Sequence, residues 1–197
     1  MRIIRPALAA AALAAVSALA PAAAAPAPDI INGTAGADTL TGTNGEDVIR
    51  GKAGTDRLRG LAGADRLVGG ADGDDLLGGR GNDLLLGGGS DGSYGNLLFG
   101  KSGDDTGRGG DGRDYMNAGV GDDVFEAYAG RDSADPGRGR DRIDLGAGRD
   151  YVSAITDDGV RDRIDCGAGD DLVEYLDDLD DRDVLVNCET VTVLDPV

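Results

Sequence analysis

An aspartate recurs along this chain at a fixed interval. Asp38, Asp47, Asp56, Asp65, Asp74 and Asp83 stand nine residues apart, and after a longer gap holding Asn96 so do Asp105, Asp114, Asp123, Asp132, Asp141 and Asp150. Asp162, Asp171 and Asp183 continue the series through two twelve-residue steps. Regular carboxylates do one of two things: they form a merely solvated acidic face, or they collect hard cations. The chain contains no histidine, which removes the usual general base, the hydrolase arrangements that depend on it and the common zinc sets. An enzyme is therefore not expected.

Around each aspartate lies a nine-residue unit, and a short fixed period names an architecture before local propensity does. With the aspartate in slot six, the first four slots are rich in glycine and slot eight is apolar. Slot eight holds Leu40, Ile49, Leu58, Leu67, Leu76, Leu85, Leu98, Met116, Phe125, Ile143, Val152, Ile164, Val173 and Leu185; only Gly107 and Ala134 leave it weakly filled. Slots seven to nine read as a short strand whose side chains alternate out, in, out. Slots one to six read as a turn, with glycine in slots one, two and four supplying left-handed backbone angles that cost other residues on the order of 1 to 2 kcal/mol.

So short a strand buries nothing alone, and the chain must coil until two stacks of strands face one another. Two units then make one coil. Each turn lies over the turn eighteen residues away, Asp38 over Asp56, Asp47 over Asp65, Asp65 over Asp83 and Asp123 over Asp141. Two columns of carboxylates follow, stacked at about 4.8 Å. Like charges that close are unfavourable unless a cation lies between them. Carboxylates joined by turn carbonyls offer hard oxygen ligands, which suit calcium better than zinc or copper, and better than magnesium with its tightly held waters.

The nonapeptide Gly78 to Leu86, GGRGNDLLL, fits the pattern GGxGxDxUx letter for letter, as does Gly109 to Asn117. In this the chain resembles the hemolysin-type calcium-binding, or RTX, repeat family, over about residues 33–186. The resemblance implies an all-β fold: a parallel β-roll, a right-handed β-solenoid of nonapeptide repeats with several calcium ions held in its turns. It also implies metal-ligand roles for Asp38, Asp47, Asp56, Asp65, Asp74, Asp83, Asp105, Asp114, Asp123, Asp132, Asp141, Asp150, Asp162 and Asp171. The chain departs from the pattern in places. Up to Gly109 the first glycine is kept while the second varies (Thr34, Lys52, Leu61); from Ala118 it is the second that persists (Gly119, Gly137, Gly146, Gly167). Calcium is expected to be weak or absent around Asn96 and Asp183. The chain looks like the roll alone, similar to small calcium-binding repeat proteins of secreting bacteria.

Residues 1–26 combine Arg2 and Arg5 with an apolar run and alanine-rich cleavage sites, the pattern of a bacterial Sec-type signal peptide. This predicts a secreted, extracellular protein with no membrane insertion after cleavage. A linker over 27–32, a roll over 33–186 and a C-terminal capping strand over 187–197 follow. The net charge of −18 repels nucleic acid and attracts cations. Cys166 and Cys188 are the only cysteines, and the register brings them close enough for a disulfide in an oxidising compartment. Leu77, Leu84, Leu86, Leu97 and Phe99 fall in outward slots near the irregular thirteen-residue unit. They either pack locally or form a contact patch for self-association or another partner. The sequence thus supports two functions: a non-catalytic calcium-binding protein whose folding is coupled to the ion, or a calcium-stiffened surface or matrix adhesion module.

Overall fold

The computed structural model describes residues 27–89, 94–156, 158–176 and 181–194; the signal peptide expected over 1–26 lies outside them. All regular structure in these residues is β, in two parallel sheets that take alternate strands. One sheet runs Asp29–Asn32, Asp47–Ala53, Arg66–Ala71, Leu84–Gly89, Thr106–Gly112, Val124–Gly130, Arg142–Asp144, Arg163–Asp165 and Val184–Val186, with two-residue strands Ala147–Gly148 and Ala168–Gly169 beside this path. The other runs Thr39–Thr41, Arg57–Ala62, Asp75–Arg80, Leu97–Ser102, Tyr115–Val120, Ser133–Arg138, Tyr151–Thr156, Leu172–Leu176 and Thr190–Leu194. Two units close one coil, and the whole is the expected parallel β-roll. Among the described residues no helix is long and apolar enough to cross a membrane.

Register follows the period. Leu67 pairs with Leu85, and Leu58 with Leu76, each eighteen residues on. Leu76 pairs with Leu98 across the longer unit without losing step. Slot eight forms the core: Ile49, Leu58, Leu67, Leu76, Leu85, Leu98 and Phe125 are fully enclosed, and Leu40 and Leu185 pack against them from the two ends. Gly107 is not a gap. A Cβ there would lie 2.2 Å from the Phe125 ring, so the large side chain of one coil occupies the space left by the small one of the previous coil, as close packing requires.

Three expectations change. Eleven of the twenty strands in the described residues are six or seven residues long rather than three, and those such as Arg66–Ala71 run from slot seven through slot three of the next unit. Parallel pairing needs only main-chain groups, so glycines that read as turn continue the ladder. The inward positions are consequently slots six, eight and one, and from residue 118 on slot one adds Ala118, Ala127, Leu145, Cys166 and Tyr175 to the core. Second, 27–32 is not simply linker, because Asp29–Asn32 is a strand paired in register with Asp47–Arg50. Third, the C-terminal strand expected over 187–197 is, among the described residues, Thr190–Leu194, the last rung of its sheet in register with Leu172–Leu176.

Cys166 and Cys188 form a disulfide with their Cα atoms 5.1 Å apart. It ties the last coil to the inward position of the one before. We expect Cys188→Ser in calcium-saturated protein to lower stability by about 2 to 4 kcal/mol, read as a lower melting temperature. A melting curve identical to that of the parent would show that the bridge does not hold the end of the roll.

Candidate metal centre

The slot-six aspartates stand where each chain segment leaves a turn and enters a strand, and their side chains point inward. Twelve of them between Asp47 and Asp171, with Asn96 and Asp162, are buried at 4% exposure or less. Their positions are fixed from both main-chain groups. The Asp65 N–H donates to Asp83 Oδ1 at 2.8 Å, and the Asp65 carbonyl accepts from Leu84 N at 2.8 Å. The same pattern repeats down both columns. One runs Asp38, Asp56, Asp74, Asn96, Asp114, Asp132, Asp150, Asp171, and the other Asp47, Asp65, Asp83, Asp105, Asp123, Asp141, Asp162, Asp183. From Asp56 and Asp65 onward each slot-six side chain accepts through Oδ1 a main-chain N–H from the coil before, and the extra residues of the longer units do not break the series.

One carboxylate oxygen is thereby satisfied. The other is not. Twelve of these aspartates carry a buried oxygen without a hydrogen-bond partner: Oδ1 in Asp47 and Oδ2 in Asp56, Asp65, Asp74, Asp83, Asp105, Asp114, Asp123, Asp132, Asp141, Asp150 and Asp171. A buried charge in this state is costly and either takes up a proton or gains a cation. Burial, reinforced by the neighbouring Asp162 and Asp123 carboxylates, pushes Asp141 up to about 8. Burial likewise raises Asp74, Asp105 and Asp132 to about 7, and Asp65 and Asp83 to about 6, against the opposing pull of the main-chain N–H.

The unpartnered oxygens face a cradle that slot-one glycine leaves open. A Cβ on Gly51 would lie 2.1 Å from Asp56 Oδ2 and 2.8 Å from the Gly69 carbonyl oxygen, and one on Gly60 would lie 2.2 Å from Asp65 Oδ2 and 2.7 Å from Gly78 O. Carboxylate and carbonyl oxygens of successive coils thus converge where a side chain would otherwise stand. Left-handed angles, expected in slots one, two and four, occur in slots two and four, as at Gly79 (φ +132°) and Gly81 (φ +113°); slot one needs glycine for space instead. Among the described residues no three acidic or cysteine side chains gather into a metal-holding group, so main-chain carbonyls must supply part of any coordination. A donor set of carboxylate and carbonyl oxygen fits calcium.

Several rungs meet part of this need through hydrogen bonds, though Asp47 Oδ1 and Asp114 Oδ2 stay unpartnered. At the first coil Thr34 donates its N–H and hydroxyl to Asp38 Oδ2 at 2.6 and 2.9 Å, and Thr43 does so to Asp47 Oδ2 at 2.6 and 3.2 Å. In sequence Thr34 reads only as a missing glycine. The signal available was threonine in slot two of the first two units and of no later one. At Asn96 the side-chain amide donates to Gly109 O at 3.2 Å and Asp114 Oδ1 at 3.1 Å, so an N–H serves those oxygens in place of an ion. Asp183 receives Asp162 N–H on one oxygen and the Tyr175 hydroxyl, at 3.1 Å, on the other. Glu189, absent from the sequence-based set, ends one column by accepting from Asp171 N at 3.0 Å.

The five outward apolar residues are not one patch. Leu84 and Leu86 lie on one sheet, and Leu77, Leu97 and Phe99 on the other. Phe99 packs on Tyr115 at 5.7 Å between ring centres, with the Lys101 ammonium 5.2 Å from its ring.

Against known families, the model of the RTX calcium-binding nonapeptide repeat matches the chain in four copies, at residues 27–58, 50–85, 99–134 and 137–154. No curated protein matches it.

Proposed function

Since the chain belongs to the RTX calcium-binding nonapeptide repeat family, we propose that it is a secreted, non-catalytic calcium-binding protein whose folding is completed by the ions it takes up. The observation that carries this reading is the set of twelve buried carboxylate oxygens left without a partner. Calcium supplies positive charge there, which protons supply only when the carboxyls are neutralised. Asp56, Asp65, Asp74, Asp83, Asp105, Asp114, Asp123, Asp132, Asp141, Asp150 and Asp171 act as ligands through Oδ2, with slot-one carbonyls of the neighbouring coil beside them. Asp162 continues the ladder in the same column. Asp38 and Asp47, with threonine donors on Oδ2, bind more weakly or serve as the end of the file.

The absence of histidine from the sequence and the inward direction of the acids support a structural rather than a catalytic role. The disulfide suits an oxidising compartment, which supports secretion. Isothermal titration with calcium and with magnesium, alongside a count of bound ions, tests the proposal. Several calcium ions should bind and magnesium should not replace them. Asp123→Asn copies Asn96 on an unbroken column and should lower the ion count while keeping its hydrogen bond to Asp105 N–H. Zero bound calcium at millimolar concentration would overturn the reading.

A further inference from the structure

Beside one carboxylate column stands a cluster of the opposite charge. Arg140 and Arg142 flank Asp141, and Arg161 and Arg163 flank Asp162. Arg142 and Arg163 are register partners in adjacent strands, and Asp141 N–H donates to Asp162 Oδ1 at 2.8 Å, which holds the two flanking pairs in step. Four arginines therefore form a square, two across and two coils deep, along a groove of about 590 Å³. All four are exposed. The aspartates between them are turned inward and buried.

Ion pairing within the chain does not account for this square. Arg163 reaches Asp165 at 3.4 Å, with both side chains partly exposed, a contact worth little in water. Arg140, Arg142 and Arg161 have no carboxylate within ion-pair distance among the described residues. The groove also holds Asp122, Asp123, Asp141 and Asp162; the last three are buried in the column, and exposed Asp122 accepts the Arg140 main-chain N–H at 2.9 Å, so three of the four guanidinium groups stay without an ion pair in a chain of net charge −18.

The geometry points to a binding site for an acidic polysaccharide, whose carboxylates or sulfates repeat along a flexible chain laid across the square in the stacking direction. Guanidinium groups grip such anions through paired N–H donors. Nucleic acid fits less well. The groove is lined by arginine, aspartate and valine with no aromatic side chain, so a single strand finds no surface on which its bases stack. A stiff duplex would also bring its phosphates against the acidic remainder of the molecule.

The test is titration of calcium-saturated protein, its fold checked by circular dichroism, with oligogalacturonate and with a sulfated heparin-derived oligosaccharide of equal length. Binding to either should weaken about tenfold in Arg142→Gln/Arg163→Gln. It should not change in Arg66→Gln/Arg108→Gln, which removes two arginines from the same sheet away from the square. The two sugars tell carboxylate from sulfate preference. No binding of either sugar by folded protein, equal binding by both variants, equally tight binding of inorganic phosphate alone, or tighter binding of a single-stranded oligonucleotide through the same arginines would each overturn the proposal. Because calcium binding is measured separately, such a failure leaves the calcium reading untouched.

Discussion

With calcium chelated at pH 8 the protein should lose its β-strand signal, and lowering the same sample to pH 5 should restore much of it. The core explains the first half. Through the first half of the roll each nonapeptide contributes one enclosed apolar side chain, such as Leu58, Leu67 or Leu76, against the conformational entropy of ordering nine residues at roughly 1 to 2 kcal/mol each. Into that thin core the fold also draws carboxylates that lack a partner.

The pH dependence follows from linkage. Folded-state values of about 6 for Asp65 and Asp83, about 7 for Asp74, Asp105 and Asp132, and about 8 for Asp141 lie above the value near 3.9 of an unfolded aspartate. A group raised on folding binds more protons in the native state, so its stabilisation is fully present below the unfolded value and is lost as pH rises through the folded one. Through these groups the metal-free roll is accordingly firmest below about pH 4, keeps much of that stability at pH 5 and is weakest above 8. Calcium does the proton's work at neutral pH, and its affinity should fall as pH drops through the same window. Circular dichroism with and without chelator across pH 5 to 8 decides the matter; a strand signal indifferent to both chelator and pH would sink the account.

Gly79→Ala should destabilise the calcium-loaded roll by about 3 kcal/mol, on the order of 10 °C in melting temperature. Gly79 has φ +132°, and a Cβ would lie 2.2 Å from the Leu61 carbonyl oxygen and 2.8 Å from its carbon. Left-handed strain and a backbone collision act together there, and backbone cannot swing aside like a side-chain tip. The chain does carry side chains at left-handed angles in this slot, at Lys52 (φ +92°), Leu61 (φ +89°), Lys101 (φ +86°) and Tyr128 (φ +80°), but each has glycine in the same slot on the next coil, Gly70, Gly79, Gly119 and Gly146 respectively. Gly89, with nothing within 4 Å of its would-be Cβ, is the control, and Gly89→Ala should melt with the parent. Equal melting of the two variants would show that the coils can part to admit a side chain.

What could be read in advance was whatever depended on period alone. Slot eight as core, the stacking of Asp47 on Asp65 and the closeness of Cys166 to Cys188 need only a count of residues and the rule that two units make a coil. What escaped the reading depended on main-chain geometry or on single contacts. Glycines such as Gly87 and Gly88 lie in a strand because parallel pairing asks nothing of side chains, while composition marks them as turn. Tyr175 and Leu145 are inward because slot one is an inward strand position, which a turn assignment hides. Thr34 and Thr43 act through one hydroxyl and one N–H each, and no periodic pattern announces that. Leu84 and Leu77 are neighbours in sequence, yet consecutive strands face opposite ways; the coil rule itself separates them once it is applied to outward positions.

The assignment of successive strands to opposite sheets limits how such a molecule can grow or shrink. Inserting a few residues within a turn is harmless, as the step from Leu76 to its partner Leu98 demonstrates. Duplicating a lone nonapeptide is another matter: every downstream segment would change sides, so arginines on one flank would emerge on the other. Lengthening must proceed by pairs of repeats, and any ancestor or engineered descendant keeping both flanks intact differs from this chain by whole coils.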